Sequence, residues 1–220
     1  MSTTIDIIPV DSIDISFGQV IETAEKHIND FLFSIGITQK IILKVNLYDN
    51  DERYVTNILP SDKFEWEDNT YAWFNIEGVI GGTDAYCEHL KDNEIEIENP
   101  WWKLEGLELN NMAIDNIKEK LEKAKLLDRI WSFRRSAGQP GIIAVSYGLI
   151  SLSVAELTNG LLWSDDGAWD YQRFPSESKA FLDWYFRPDK AIHKNYADWA
   201  KRCIDEIKKE LQSPTNPKMY

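Results

Sequence analysis

The stretch that decides the fold runs from Ser16 to Gly36 and reads SFGQVIETAEKHINDFLFSIG. Ser16 followed three residues later by Gln19 is a capping box, in which each side chain satisfies the other residue's backbone N–H at the start of a helix. Apolar residues then recur at the spacing of a one-sided helical stripe, namely Phe17, Val20, Ile21, Ala24, Ile28, Phe31, Leu32 and Ile35. Gly36 supplies the stop, because glycine readily adopts the left-handed conformation that ends many helices. The stretch therefore predicts an amphipathic helix packed on a sheet.

Strand-like segments lie on both sides of this helix. Residues 3–10 (TTIDIIPV) are rich in β-branched side chains, and residues 39–47 (QKIILKVNL) alternate apolar and polar side chains. The patterns that follow predict a hairpin of 64–66 with 71–79, a helix at 111–126, a strand at 128–135, a buried helix at 142–158, a short strand at 161–164, and two closing helices at 176–187 and about 191–211. A strand at 146–154 stays open as an alternative. The order predicts an α+β fold with a βαβ-type start, a mixed or antiparallel sheet, and helices mainly on one face.

The domain organisation follows from where these patterns stop. We expect a single α+β domain over residues 1–212 and a flexible tail at 213–220, which is polar and contains proline. Residues 83–110 have no clean period, so they are predicted to form an acidic insertion or long ordered loop. Loops of this length in a compact domain are usually functional.

The charge of the chain excludes several classes of function. The 220 residues include 24 Lys and Arg against 37 Asp and Glu, a formal net charge of −13. Nucleic acids and anionic membranes repel such a protein, so neither is an expected partner. Residues 49–108 hold 16 acidic and four basic side chains, which places −12 of the net charge in one segment. A cytoplasmic location is expected, since Cys87 and Cys203 have no disulfide or metal spacing and residues 1–8 lack a signal-peptide pattern.

The acidic segment also carries tryptophans, which predict a binding face. Trp and Tyr dominate the hot spots of protein interfaces, and an acidic rim steers a protein toward a basic partner. We therefore expect a protein-binding module that neutralises a basic protein partner. Its predicted contact residues are Trp66, Glu94, Glu96, Glu98, Trp101 and Trp102. One alternative is a structural subunit whose exposed aromatic residues form a homodimer.

A second hypothesis is an enzyme that acts on an anionic substrate carrying phosphate or carboxylate. Arg134 and Arg135 precede a glycine-containing turn before the apolar helix, where guanidinium groups and backbone N–H groups can hold an anion. Asp165, Asp166 and Asp170 follow the short strand and could supply an acid/base pair, with or without Mg²⁺. The competing interpretation is structural, with arginines paired to the protein's own acids and aspartates forming a turn.

Neither a metal nor another cofactor is predicted. Asp84, Glu88 and His89 could offer oxygen and imidazole ligands, but a single histidine among acids in a loop is more often solvated. His27 and His193 lie in helical segments without a triad-like partner nearby, and no G-x-S-x-G motif occurs. A nucleophilic hydrolase therefore has no support in the sequence.

The run from Arg134-Arg135 through residues 155–166 (AELTNGLLWSDD) is the basis of a family resemblance. It resembles the helix, glycine and strand pattern of several bacterial immunity proteins of polymorphic toxin systems and their uncharacterised relatives. The resemblance spans residues 134–166 of the 220 and contains no diagnostic motif. It implies a bacterial binding protein that neutralises a toxin, and it assigns no role to any individual residue.

Overall fold

The sheet dominates the computed structural model, which describes residues 2–55, 57–89, 114–166, 168–170 and 173–212. Its strands are β1 (Ser2–Ile8), β2 (Leu43–Asp49), β3 (Thr70–Ile76), β4 (Thr83–His89), β5 (Arg129–Ser136), β6 (Leu161–Trp163) and β7 (Ser176–Glu177). They form one open sheet in the order β2-β3-β4-β5-β1-β6-β7, and each neighbouring pair is antiparallel. The predicted α+β class is confirmed.

The beginning of the chain shows how the sheet is assembled. Helix α1 (Phe17–Ser34) connects β1, inside the sheet, to β2 at its edge. Because the strands between them are antiparallel in turn, β1 and β2 run in the same direction. The β-α-β order is therefore present as predicted, with β3, β4 and β5 filling the space between its two strands.

Helix α1 begins and ends as the sequence predicts. The Ser16 Oγ accepts a hydrogen bond from the Gln19 N–H at 3.2 Å, and the Gln19 side chain accepts one from the Ser16 N–H at 2.8 Å. These two bonds satisfy donors that no helical carbonyl reaches. The helix ends at Ser34, and Gly36 takes a positive φ of 86° just beyond it.

The other described helices are α2 (Ile117–Leu127), α3 (Gly141–Leu157), α4 (Ser178–Trp184) and α5 (Lys194–Gln212). Helix α3 is the centre of the core, because every residue from Gly141 to Ala155 is buried against α1, α5 and the sheet. Its serine hydroxyls donate to carbonyls one turn earlier, as Ser146 does to Ile142 at 2.7 Å. Such bonds satisfy hydroxyl groups in apolar surroundings. The buried helix is confirmed, and the strand alternative for 146–154 is wrong.

The two faces of the sheet differ in what covers them. Helices α1, α3, α4 and α5 pack on one side, which we call the helical face. Helix α2 packs on the other side, where Leu121 and Ala124 contact Ile8 and Leu161. In the described chain no helix covers β2 to β5 on that second side, which we call the open face. No described helix is both long enough and apolar enough to cross a membrane.

Two predictions for the middle of the chain are wrong. Residues 64–66 do not pair with 71–79, because the Phe64 N–H bonds to the Ile15 carbonyl at 2.8 Å and β3 pairs with β2 and β4 instead. Residues 83–89, expected at the start of an irregular insertion, form β4 within the sheet. The alternation of β4 is weak in the sequence because its core-facing residues, Thr83, Ala85 and Cys87, are small and not strongly apolar. Residues 90–113 and the predicted tail at 213–220 lie outside the described residues.

Candidate functional site

Alternation along three strands brings tyrosines into one row on the open face. Tyr48 of β2 is opposite Tyr71 of β3, and their stacked rings have centroids 5.7 Å apart. Tyr86 of β4 continues the row, with its ring centroid 6.2 Å from that of Tyr71. All three side chains are half-buried, so their ring edges and hydroxyl groups reach solvent. We call these three residues the tyrosine row.

A tryptophan extends this aromatic surface along β3. The Trp73 indole lies directly over the backbone at Gly82, where a Cβ atom would come within 2.6 Å of the indole and 2.4 Å of the Phe74 carbonyl oxygen. Atoms cannot approach this closely, so the position requires glycine. Gly82 thus allows a flat indole to rest on the backbone just before β4, beside the tyrosine row.

An ion pair joins these aromatic residues to β5. Asp84 and Arg134 are opposite each other in the β4–β5 register, and the Arg134 Nε donates to the Asp84 Oδ2 at 2.8 Å. Asp84 is only 8% exposed, whereas the Arg134 side chain is 44% exposed. The guanidinium carbon lies 5.4 Å from the centroid of the Tyr86 ring. Arg134 therefore neutralises a buried carboxylate and at the same time covers one end of the tyrosine row.

The surroundings keep the Tyr71 and Tyr86 phenols neutral at physiological pH. Burial raises the pKa of Tyr71, and the negative charges of Glu52 and Asp84 raise it further. Burial also raises the pKa of Tyr86, an effect that Asp84 increases and Arg134 opposes. The hydrogen bond to Asp84 raises the pKa of Arg134, so the guanidinium stays charged. Tyr71 and Tyr86 thus present ring faces and hydroxyl donors rather than phenolate.

Together these side chains enclose a shallow recess of about 510 Å³. Its lining consists of Tyr48, Asn50, Glu52, Tyr71, Trp73, Asp84, Tyr86 and Arg134. We call this set the tyrosine recess. Aromatic residues make up half of the lining, which also contains two carboxylates and one guanidinium. The recess is therefore suited to a ligand with flat or cationic groups.

Trp66, one of the predicted contact residues, lies elsewhere. It is 6% exposed and packs on Phe17 and Phe64, with ring centroids 5.8 and 5.0 Å away. It lines the wall of a groove of about 810 Å³ at the sheet end formed by Thr70, His89 and Arg129. The indole therefore belongs to the core and does not project as an interface anchor. The other predicted contact residues, Glu94, Glu96, Glu98, Trp101 and Trp102, lie outside the described residues.

The charged groups of this groove already contact one another. The Arg129 Nη1 donates to the Glu65 Oε2 at 3.1 Å, and the Arg129 Nη2 lies 2.9 Å from the His89 Nε2. The His89 Nδ1 lies 3.2 Å from the Asp68 Oδ1. A partner entering here would have to compete with this chain of contacts, whereas Glu52 in the tyrosine recess is exposed.

The two arginines of the enzyme hypothesis lie on opposite faces of the sheet. They are adjacent in β5, and successive side chains of a strand point to opposite sides. Arg134 pairs with Asp84 on the open face, whereas the Arg135 Nη2 donates to the Thr3 Oγ1 at 3.2 Å and its guanidinium packs on the Tyr147 ring on the helical face. No single pocket can use both guanidinium groups.

The three aspartates of the same hypothesis are also separated by their contacts. Asp166 is exposed, and its Oδ1 accepts a hydrogen bond from the Thr4 N–H at 3.0 Å. Asp170 is fully buried and accepts a hydrogen bond from the Arg173 Nε at 3.0 Å. Asp165 is exposed. The structure does not bring these carboxylates and the two arginines together in one site.

The residues that could have bound a metal, Asp84, Glu88 and His89, are not grouped as a metal site. Within the described ranges, no three His, Cys, Asp or Glu side chains are grouped as a metal site would need. The alternation of β4 directs Asp84 to the open face and His89 to the groove, so these two cannot share an ion. His27 lies 2.6 Å from Glu156 through Nε2 and Oε2, which links α1 to α3.

Sequence reasoning misses the tyrosine recess, although a signal for it exists. Tyr48, Tyr71 and Trp73 occupy positions that strand alternation assigns to the side away from the core. Large aromatic residues at such positions are informative, because exposed apolar surface that serves no purpose is usually avoided. The signal becomes clear only when β4 is recognised as a strand, since Tyr86 and Asp84 complete the recess.

Comparison with known proteins assigns the chain to no family. No protein-family model, curated protein or solved structure matches the chain. The functional argument therefore rests on the described structure, an α+β fold whose antiparallel sheet carries an aromatic, acid-bordered recess on its open face.

Proposed function

We propose that this chain is a protein-binding module of the immunity-like kind, which neutralises a basic protein partner through the tyrosine recess. The observation that carries the proposal is the tyrosine row, Tyr48, Tyr71 and Tyr86, on a sheet face that no described helix covers. The recess lies in the acidic part of the chain, because residues 49–89 contain ten acidic and two basic side chains. Aromatic side chains and negative charge thus occur together at this recess.

The aromatic side chains favour a macromolecular partner. Tyr and Trp are the residues most enriched among interface hot spots, because they bury a large area and still offer a polar group. The stacking of Tyr48 on Tyr71, and the fit of Trp73 over Gly82, hold these rings in place before a partner arrives. Side chains that are already ordered lose little conformational entropy on binding. The recess is therefore a preorganised contact surface.

The charge and the ring faces together favour a basic partner. Arg134 shows the contact within the protein itself, since its guanidinium packs on the Tyr86 ring while it bonds to Asp84. A partner arginine placed over Tyr48 or Tyr71 would find the same combination, with Glu52 as the exposed carboxylate. Contacts between a cation and an aromatic ring are worth about 0.5–2 kcal/mol each. Several such contacts would give both affinity and a preference for arginine-rich surfaces.

The proposal is tested with a fluorescein-labelled oligoarginine peptide as the probe. We expect fluorescence anisotropy to show saturable binding that weakens as salt is added, because exposed charges are screened. Tyr71→Leu keeps apolar volume but removes the ring, and it should weaken binding by about fivefold. Glu52→Lys should weaken it further at low salt. The matched control is Glu22→Lys, which makes the same charge change at an exposed position of α1, far from the recess in the fold.

Three outcomes would contradict this function. An oligoglutamate peptide that binds as tightly as oligoarginine would remove the charge preference. Binding that is independent of salt would remove the electrostatic mechanism. Equal losses for Glu52→Lys and Glu22→Lys would show that the whole negative charge, and not the tyrosine recess, attracts the probe.

A further inference from the structure

Arg135, on the helical face of β5, is held in an unusual environment. Its guanidinium carbon lies 5.3 Å from the centroid of the Tyr147 ring and 5.2 Å from that of the Trp199 ring. The side chain is half-buried between α3 and α5, which carry these two rings. Two neighbouring aromatic rings restrict the orientation of a guanidinium group. Arg135 is therefore a cation in largely aromatic surroundings.

No acidic side chain of the described residues forms an ion pair with this cation. Arg53, Arg129, Arg134 and Arg173 each contact a carboxylate, whereas the hydrogen-bond and ring contacts of Arg135 within the described residues are to neutral groups. Its Nη2 donates to the Thr3 Oγ1 at 3.2 Å, and its Nη1 lies 3.5 Å from the Ser136 carbonyl oxygen. Its Nε is buried and has no hydrogen-bond partner. Guanidinium groups offer five donors, so most of this hydrogen-bonding capacity is unused.

The neighbouring tyrosine does not supply a counter-charge. Burial raises the pKa of Tyr147, and Arg135 opposes that effect without overcoming it. The Tyr147 phenol is therefore neutral at physiological pH. Asp166 also raises the pKa of Tyr147, but its Oδ1 accepts hydrogen bonds from the Thr4 N–H at 3.0 Å and the Ser164 hydroxyl at 3.3 Å and forms no ion pair with Arg135. A half-buried charge that forms no direct ion pair in the described chain is costly, and a bound anion would relieve that cost.

A small pocket opens beside this guanidinium. Its volume is about 220 Å³, and Arg135, Trp169, Asn195, Tyr196 and Trp199 line it. The indole of Trp169 forms a buried wall, with ring centroids 5.7 Å from Tyr196 and 5.9 Å from Trp199. One end of the pocket is thus cationic, and aromatic rings together with the Asn195 amide form the rest. The space accommodates a molecule of the size of one ring with one acidic group.

The geometry points to a binding site for a small organic carboxylate with an apolar or aromatic body. The carboxylate would accept hydrogen bonds from Arg135, since carboxylate and guanidinium match in planar shape and in charge. The apolar body would rest against Trp169 and Trp199. Inorganic phosphate suits the cation but gains nothing from aromatic walls, so it should bind more weakly. The site lies on the other face of the sheet from the tyrosine recess and does not depend on the proposed function.

Benzoate is the probe that tests this site in the full chain. We expect the Nε–H resonance of Arg135, observed in ¹⁵N-labelled protein, to shift saturably as benzoate is added, with calorimetry giving the affinity. Arg135→Met keeps the apolar stem and removes the charge, so it should weaken binding by at least about tenfold. Arg202→Met removes an exposed arginine charge from α5 and is the matched control, with an unchanged affinity.

Two comparison ligands separate the possible sources of binding. Benzamide has the same ring without the charge and should bind at least about tenfold more weakly. Inorganic phosphate should also bind more weakly than benzoate. If Arg135→Met does not fold, two other measurements carry the test. The first is the Arg135 resonance of the unmodified chain, and the second is Asn195→Ala, which should lower the benzoate affinity by about threefold.

Each contrary result has a clear meaning. Benzamide binding as well as benzoate would show an apolar pocket that ignores the charge. Phosphate binding as tightly as benzoate would show a general anion site without recognition of the ring. No saturable shift of the Arg135 resonance, or an unchanged affinity in Arg135→Met, would overturn the site altogether.

Discussion

Arg134 and Arg135 are neighbours in sequence, and the structure treats them in opposite ways. On the open face Arg134 bonds to the carboxylate of Asp84 and remains 44% exposed. On the helical face Arg135 lies close to the rings of Tyr147 and Trp199, without an ion pair in the described chain. Arg134 thus lies on a charged, hydrated surface, whereas Arg135 lies in aromatic, drier surroundings.

The difference comes from which parts of the chain supply the neighbours of β5. On the open face the neighbour is β4, which belongs to the acidic segment and supplies Asp84. On the helical face the neighbours of Arg135 come from β1, α3 and α5, outside that segment. The two faces of β5 therefore have different neighbours. An acidic strand pairs with Arg134 on the open face, and the described residues around Arg135 on the helical face form no ion pair with it. The same separation places the tyrosine recess on one face and the Arg135 pocket on the other.

The largest test of this comparison removes one aromatic ring from each face. Phe133 of β5 is fully buried on the helical face, with its ring centroid 6.0 Å from that of Phe74. Phe133→Ala should lower the free energy of unfolding by about 4 kcal/mol, the cost of an unfilled core cavity. Tyr71→Ala on the open face should cost about 1 kcal/mol, since water can replace an exposed part of the ring. Urea denaturation measures both values, and equal losses would mean that the open face is packed as tightly as the core.

The next test uses the ionisation of tyrosines on the two faces. Burial raises the pKa of Tyr185 well above its ordinary value. Burial also raises the pKa of Tyr71, and the negative charges of Glu52 and Asp84 raise it further. A pKa that is higher in the folded chain means that stability is complete below the ordinary tyrosine pKa of about 10 and is lost as pH rises beyond it. The chain should therefore unfold more readily in alkali than at neutral pH.

Two variants assign this alkaline loss to a face. The Tyr185 hydroxyl donates to the Val145 carbonyl at 3.1 Å, so Tyr185→Phe should cost about 1.5 kcal/mol at neutral pH and reduce the alkaline loss. Tyr71→Phe should change the alkaline loss much less, because water reaches its hydroxyl group. Urea titrations at neutral and alkaline pH give the comparison. A larger change for Tyr71→Phe would reverse the assignment of hydrated and dry faces.

The sequence predicts the local part of this fold well and the long-range part poorly. The capping box of Ser16 and Gln19 and the apolar run of α3 depend on residues close together in the chain, so α1 and α3 are found correctly. The pairing of β3 with β2 and β4 depends on strands distant in sequence, and it is missed. The tyrosine recess shares that limitation, because its residues come from β2, β3, β4 and β5 and meet only when the register is known. Arg134 and Arg135 are found as candidates, but their opposite faces follow only once 129–136 is known to be a strand.

The smallest test returns to the two arginines and separates pairing from burial. Asp84→Asn leaves Arg134 without its carboxylate, and the expected loss is about 1 kcal/mol, since the exposed guanidinium regains water. Arg135→Met removes a cation that has no ion pair in the described chain and keeps an apolar stem near the two rings, so stability should change by less than about 0.5 kcal/mol. Exposure alone predicts the reverse order, because Arg135 is the more buried of the two. Urea denaturation decides between them: a loss in Arg135→Met that exceeds the loss in Asp84→Asn would show that the rings, and not a missing anion, satisfy this guanidinium.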